Sequence, residues 1–112
     1  MKTKQESVWK ALADPTRRKI LDLLGKEPRT TGDLSGHFKL MTRYGVMKHL
    51  SVLEESGLVL TRREGRLKWH FLNAVPIQKI YDRWVSKYVG RHSRMLIELK
   101  KHSERTNKKQ EK

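Results

Sequence analysis

The sequence predicts a mainly α-helical winged helix-turn-helix fold with a small β-hairpin, in the order ααααββα, that dimerises through its terminal helices. Three observations predict it. Two short amphipathic segments flank a tight turn, an alternating hairpin follows the second of them directly, and the 112 residues carry a net charge of +14. A helix-turn-helix followed by a hairpin is a known supersecondary arrangement, and a strong positive charge attracts polyanions such as nucleic acid.

Length and composition limit the class of protein. A chain of 112 residues is enough for one domain with a modest core. The absence of cysteine excludes disulfides and thiolate metal sites. The first residues are not followed by an apolar stretch, and no run approaches the ~18 apolar residues that span a bilayer. We therefore expect no signal peptide, no membrane partner and a cytoplasmic location.

The first two helices are indicated by apolar spacing and by a capping signal. Residues 7–13 have one apolar side, which predicts a short helix. Asp14 and Pro15 are a favoured N-cap and first helical residue, so a second helix begins there. Its apolar residues keep helical spacing until Gly25, which is suited to a C-terminal cap.

The next two helices form the helix-turn-helix. Thr30 followed by Asp33 resembles a capping box and predicts a helix of about two turns. Thr42 is the best N-cap for the following helix, which runs to about Ser56 and stops at Gly57. After it, residues 58–61 and 67–72 have strand character around a Glu64–Gly65 turn, so they form a hairpin in the position of a wing.

One side of the second helix of this motif is predicted to contact DNA. At 100° per residue, Val46, Leu50 and Leu53 lie on one stripe that faces the core. The opposite side and the N-terminal tip carry hydroxyl, cationic, phenolic and thioether groups, which can contact base edges, thymine methyls and phosphates. The residues of this side are Thr42, Arg43, Tyr44, Met47, Lys48 and Ser51. The alternative is an ordinary solvated face.

The hairpin carries four cations that are suited to phosphates or to a narrow minor groove. They are Arg62, Arg63, Arg66 and Lys68. The alternative is a charged loop that protects a strand edge from aggregation.

Arg17 and Arg18 have two equally supported roles, a contact to phosphate or an internal ion pair with Asp14 or Asp22.

The last helix is predicted to open at Pro76 and to be strongly amphipathic, with a break in the pattern at Gly90. Its apolar stripe is interpreted as a mixture of core packing and dimer contact, shared with the first helix. The residues assigned to this interface are Val8, Trp9, Ile77, Ile80, Tyr81, Trp84, Val85 and Tyr88. We expect residues 1–101 to form the DNA-binding and dimerisation domain and residues 102–112 to form a basic, flexible tail.

No metal, cofactor or catalytic site is predicted. The five histidines are far apart in sequence and lack the spacing of metal ligands, and His49 is expected to be partly buried and hydrogen-bonded. The sequence has no phosphate-binding glycine loop, no GxSxG, no HExxH and no cysteine nucleophile. The protein is therefore not expected to be an enzyme.

Several segments resemble the ArsR family of winged-helix regulators. LADPTRRKIL at 12–21 resembles the start of that family, VMKHLSVLEESGLV at 46–59 its recognition helix and wing entry, and REGR at 63–66 its wing tip. TRYGVMKHL at 42–50, LNAVP at 72–76 and IYDRWV at 80–85 are similar to a subgroup found beside START-like lipid-binding domains. No such domain is present in this chain.

The resemblance implies a homodimer that represses transcription at an operator in double-stranded DNA. The best-known members of the family release DNA on binding metal, through cysteines that would fall near residues 31–37. This chain has no cysteine there, and Asp82 is followed by Arg83 and Trp84 rather than by the family's metal-binding pairs. The resemblance therefore does not imply metal sensing, and the effector is undefined.

Two alternative functions remain open from the sequence. The chain could be a nucleoid-type protein with little sequence preference, which a measured ratio of specific to random DNA binding would identify. It could instead be a protein-interaction adaptor that uses the aromatic last helix, which would not bind DNA even at low salt.

Overall fold

The computed structural model describes residues 3–89 and 91–110, and the chain forms two compact units, residues 1–78 and 79–112. The predicted class is confirmed, since the described elements are mainly helices together with one small antiparallel sheet. In chain order the elements are α1 (Lys4–Leu12), α2 (Pro15–Lys26), β1 (Arg29–Thr30), α3 (Thr31–Gly36), α4 (Arg43–Glu55), β2 (Val59–Glu64), β3 (Leu67–Leu72), α5 (Val75–Ile80), a π-helical turn (Tyr81–Val85) and α6 (Arg91–Gln110).

Side-chain caps fix the starts of the first four helices. The Asp14 carboxylate accepts hydrogen bonds from the backbone N–H of Thr16 and Arg17, at 2.8 and 3.1 Å. The hydroxyls of Thr30 and Thr42 each accept one bond from the backbone N–H three residues ahead. The predicted starts of α2, α3 and α4 are therefore confirmed, because each depends on a local bond that the cap residue itself makes.

The first helix begins earlier than the apolar pattern suggests, and the second ends later. Thr3 and Glu6 form a reciprocal capping box, so α1 starts at Lys4 instead of near residue 7. In α2 the helix continues through Gly25 to Lys26, so Gly25 is not the C-cap that the sequence predicted. Glu27 ends the helix with an extended backbone that leads into Pro28.

The sheet has three strands in the order β1-β3-β2, all antiparallel. The wing strands pair from Val59 with Leu72 to Glu64 with Leu67, so the predicted hairpin is present but its turn is Gly65–Arg66, not Glu64–Gly65, and Glu64 belongs to β2. Gly65 has a φ of +63°, in the left-handed region that favours glycine, and permits the two-residue turn. The third strand, β1, was not predicted, because two residues are too short to show alternation.

The core of the first unit is apolar and comes from all four of its early helices and from β2. The stripe predicted for α4 is confirmed, since Val46, Leu50 and Leu53 are buried. The other apolar residues of this core are Val8, Ala11, Ile20, Leu21, Leu24, Leu34, Leu58 and Val59.

The second unit differs from the single long helix that the sequence predicted. The α-helical pattern ends at Ile80, and the Ser86 N–H donates to the Tyr81 carbonyl across a π-helical turn. Turns follow to residue 89 before α6 begins. Tyr81, Trp84 and Val85 supply the helical period but have low helix propensity, which favours such a break. The α6 backbone is helical through Gln110, so the tail boundary near residue 101 stays a prediction.

Arg17 joins the end of α1 to α2 and α4. Its guanidinium donates to the carbonyls of Ala11 and Lys10, both at 2.9 Å, and its Nη1 lies 3.2 Å from His49 Nδ1. The side chain is 13% exposed, and Asp14 lies 4.0 Å away. Arg17 thus has the internal role rather than a phosphate contact, and the prediction of a partly buried, hydrogen-bonded His49 is confirmed.

His70 joins the wing to the rest of the first unit. It is 1% exposed on β3, and its Nδ1 lies 3.3 Å from the Arg29 carbonyl oxygen on β1. Burial lowers the pKa of His70 below its ordinary value, and the Lys68 charge adds to this effect. The Arg29 carbonyl and the Glu54 carboxylate act in the opposite direction but do not overcome it. His70 is therefore neutral in the folded protein near pH 7.

We expect Arg17→Ala to lower the free energy of unfolding by about 2 kcal/mol, because the Ala11 and Lys10 carbonyls at the end of α1 lose charged hydrogen-bond donors. Arg18→Ala is the matched control, since the exposed Arg18 donates only to Leu12, and should cost less than about 1 kcal/mol. Urea unfolding followed by circular dichroism measures both. Equal losses would contradict the joining role of Arg17.

We expect acid to destabilise the fold through His70. The unfolded state binds a proton with a pKa near 6.5, whereas the folded state resists protonation. The contribution of His70 to stability is therefore complete above that pH and is lost as the pH falls below it. His70→Asn keeps a donor for the Arg29 carbonyl but does not titrate. Urea unfolding at pH 7.5 and 5.5 should show a smaller loss in the variant, and an identical loss would refute the neutral His70.

Candidate nucleic-acid interface

The exposed side of α4 presents mixed chemistry. This surface, called the outer face of α4, consists of Thr42, Arg43, Tyr44, Met47, Lys48 and Ser51, all exposed to solvent. Tyr44 is 68% exposed and Met47 49%, so both side chains are available to a partner. The buried stripe on the opposite side holds these residues outward, as helical periodicity requires.

Two members of the outer face interact with each other, and one supports the helix. Lys48 Nζ lies 5.1 Å from the centre of the Tyr44 ring, within the range of a cation–π contact. The Tyr44 and Lys48 side chains therefore form one amphipathic, cationic surface. The Thr42 hydroxyl accepts the Gly45 N–H at 3.0 Å, so its first role is to cap α4.

The hairpin separates its cations onto two faces. Arg63 pairs across the hairpin with Lys68, and Arg62 pairs with Trp69. Because successive side chains of a strand point to opposite sides of the sheet, Arg62 and Arg63 lie on opposite faces. Arg62 lines a pocket with Trp69 and Glu64 on the side of the sheet opposite His70. Arg63 lines a separate cleft that also includes Arg43 and Arg66. The predicted wing cations therefore do not form one cluster.

Lys68 is the wing cation whose charge is already paired. Its Nζ lies 3.0 Å from Glu54 Oε1 on α4, and both side chains are about one-third exposed. The two residues also line a small cavity with His70. Lys68 therefore joins the wing to α4, which charge and spacing alone could not indicate, because its partner is 14 residues away in sequence.

Leu40 is an exposed residue that sequence analysis missed. It lies in the turn between α3 and α4 and is fully exposed to solvent. The sequence feature that could have identified Leu40 is an apolar residue in the turn of the helix-turn-helix, directly after Lys39. It enlarges the exposed apolar surface at the start of α4.

The residues assigned to a dimer interface divide into buried and exposed groups. Val8 and Ile80 are 2% and 6% exposed, so neither presents surface to a partner, contrary to their assignment. In the first unit Trp9 is half-exposed. In the second unit the exposed members are Tyr81, Trp84, Val85 and Tyr88. Ile77, on α5, is also exposed.

Within residues 3–89 and 91–110, no three His, Cys, Asp or Glu side chains come together as a metal site would require. No helix within the same ranges is both long enough and apolar enough to cross a bilayer.

Comparison with known sequences identifies relatives that match most of this chain. The family model of a helix-turn-helix domain matches residues 12–62. The transcriptional repressor SdpR of Bacillus subtilis (strain 168) is 33% identical over 85 residues, which cover 76% of this chain and 92% of SdpR. The match therefore extends over nearly all of that relative.

Solved structures show the same architecture. The crystal structure of an ArsR family transcriptional regulator superposes with a TM-score of 0.70 at 32% identity and covers 76% of this chain and 91% of the other. The solution structure of a homodimeric winged helix-turn-helix DNA-binding domain from Mycobacterium bovis, a possible ArsR-family regulator, has a TM-score of 0.61 at 26% identity. That match covers 80% of this chain and 83% of the other.

Proposed function

The chain belongs to the ArsR family of winged helix-turn-helix DNA-binding transcriptional regulators, and on this premise we propose that it represses transcription by binding a palindromic operator as a homodimer. A relative named as a transcriptional repressor supports repression, and a homodimeric relative supports the dimer. Because its partner is DNA, we propose that the protein acts in the cytoplasm.

One observation carries this proposal: the chemically mixed outer face of α4 lies beside a wing that bears arginines. Arg43 and Met47 of α4 line the same cleft as Arg63 and Arg66 of the wing. An α-helix fits the major groove, and the N-terminal residues of a recognition helix contact the bases. The same protein surface can therefore meet base edges and backbone phosphates together.

Tyr44, Met47, Lys48 and Ser51 are the residues we assign to base reading. The Ser51 hydroxyl and the Lys48 ammonium can contact base edges, and the apolar Met47 side chain can contact a thymine methyl. The Tyr44 ring combines an apolar surface with a phenol and stacks against Lys48. Thr42 caps the helix and can also approach the DNA from its N-terminal end.

Dimerisation is assigned to the exposed aromatic residues of the second unit. Tyr81, Trp84 and Tyr88 are 41–51% exposed, and exposed clusters of large aromatic residues typically indicate a protein interface. A two-fold axis would place two copies of α4 on one side of the duplex. Half-sites should then lie about 34–36 Å apart, one turn of B-DNA.

Selection of bound sequences from random duplexes tests the proposal. A sequence-specific dimer should select an inverted repeat with this spacing, and a reporter carrying the repeat should be repressed by the wild-type protein. Selection of no sequence, with tight binding at low salt, would indicate a nucleoid-type protein. Failure to bind any duplex at low salt would indicate a protein-interaction adaptor.

We expect Tyr44→Ala to weaken operator binding roughly 5- to 150-fold, which corresponds to the ~1–3 kcal/mol of discrimination from a base contact. Binding to random duplex should change little, because that binding depends on phosphates. The exposed Glu55 at the far end of α4 provides a control in Glu55→Gln, which should keep the ratio of operator to random binding. Fluorescence anisotropy measures both affinities. Equal weakening on both duplexes would remove Tyr44 from base reading.

We expect Trp84→Glu to convert the dimer to a monomer and to reduce operator binding far more than one side chain would explain. Losing the dimer also removes the linkage between two half-sites. Lys79→Glu, an exposed change in the same unit, should stay dimeric. Light scattering across a concentration series gives the oligomeric state, and circular dichroism confirms folding. A folded Trp84→Glu protein that remains dimeric would refute this interface.

A further inference from the structure

A cleft between the recognition helix, α4, and the wing is lined by cations from both. Its lining, called the cationic cleft, consists of Thr30, Thr31, Gly32, Arg43, Met47, Arg63, Arg66, Leu67 and Lys68. None of these described residues is acidic. Its volume of about 220 Å³ exceeds the ~30 Å³ share of one water molecule, so it admits a hydrated anionic group.

Within the described residues, Arg43, Arg63 and Arg66 form no ion pair, whereas the fourth cation of the cleft, Lys68, forms one. Lys68 Nζ lies 3.0 Å from Glu54 Oε1, so its ammonium group is already paired from the side of α4. The Arg43, Arg63 and Arg66 side chains are exposed. Arg62 is excluded from this group, because strand alternation places it on the other face of the hairpin with Glu64 and Trp69.

The ligand that fits this charge and shape is a phosphate group. A guanidinium is planar, is always charged and binds phosphate oxygens through two parallel N–H bonds, which the point charge of lysine cannot reproduce. Three arginines from two elements can surround one phosphate from different directions. The Glu54–Lys68 ion pair joins those same two elements, so it helps to keep the walls of the cleft in place.

We propose that Arg43, Arg63 and Arg66 form a seat for a single phosphodiester group of the bound operator in each half-site. This assignment rests on the proposed function and deepens it. Arg43 then positions the recognition helix on the backbone and does not read a base, although it lies at the tip of the outer face of α4. The wing and the recognition helix contact the same phosphate, so docking of one aligns the other.

The test uses operator duplexes in which single phosphates are replaced, one at a time, by neutral methylphosphonates. Wild-type protein should lose affinity at one symmetric position in each half-site. Arg43→Gln and Arg63→Gln should each bind the unmodified operator more weakly, and each should lose less affinity than wild type on that one replacement. This non-additivity identifies residues and phosphate that interact directly.

Arg62→Gln is the matched control, because it removes the same charge from the adjacent residue of the same strand. It should keep the full wild-type sensitivity to the replaced phosphate. The salt dependence gives a second readout. The slope of log K against log salt should change little in Arg63→Gln, because Arg43 and Arg66 still neutralise the phosphate, and it should fall by about 0.9 per half-site when all three arginines are replaced.

The outcomes distinguish a failure of the proposed phosphate seat from a failure of the proposed function. If an operator is bound specifically but the replacement weakens the Arg43→Gln and Arg63→Gln variants as much as wild type, the seat is refuted and the proposed function stands. If no operator can be selected at all, the proposed function fails first. Inorganic phosphate, titrated at constant ionic strength, tests a free anion as the occupant. Saturable submillimolar binding that the three arginines require would overturn the assignment to DNA.

Discussion

Burial of one apolar stripe on α4 is the constraint on which the candidate interface depends. Val46, Leu50 and Leu53 lie in the core, and this burial fixes the rotation of the helix about its axis. At 3.6 residues per turn, Tyr44, Met47 and the other outer residues must then point to solvent. The orientation of the outer face of α4 is therefore a consequence of core packing, and a change in the stripe would rotate or loosen this face without replacing any of its residues.

How much of the fold could be predicted depends on how local the cause of each element is. The starts at Asp14, Thr30 and Thr42 were predictable, because each cap bonds to a backbone N–H within three residues. β1 exists only because β3 lies beside it, so a two-residue segment carried no pattern of its own. The π-helical turn at Tyr81–Val85 escaped prediction for the opposite reason, since its apolar spacing satisfies an α-helical period that the backbone does not follow.

The candidate site was predictable in its charges but not in their partners. Four cations on the hairpin could be counted, yet pairing of Lys68 with Glu54 depends on packing between distant parts of the chain. The separation of Arg62 from Arg63 follows from strand alternation and was available from the sequence once the two-residue turn was assumed. Val8 shows the limit of an amphipathic pattern, since the pattern cannot distinguish a residue buried in the core from one reserved for a partner.

A charge of +14 cannot by itself produce specificity, because every duplex presents the same phosphates. Such a charge raises affinity for operator and random DNA together, so discrimination depends on the few groups that meet base edges in a fixed register. A phosphate held by both α4 and the wing would supply that register, since its position relative to the bases is set by the duplex. On this argument the arginines of the cationic cleft affect specificity indirectly, by allowing Tyr44 and its neighbours to contact bases at one depth and one angle.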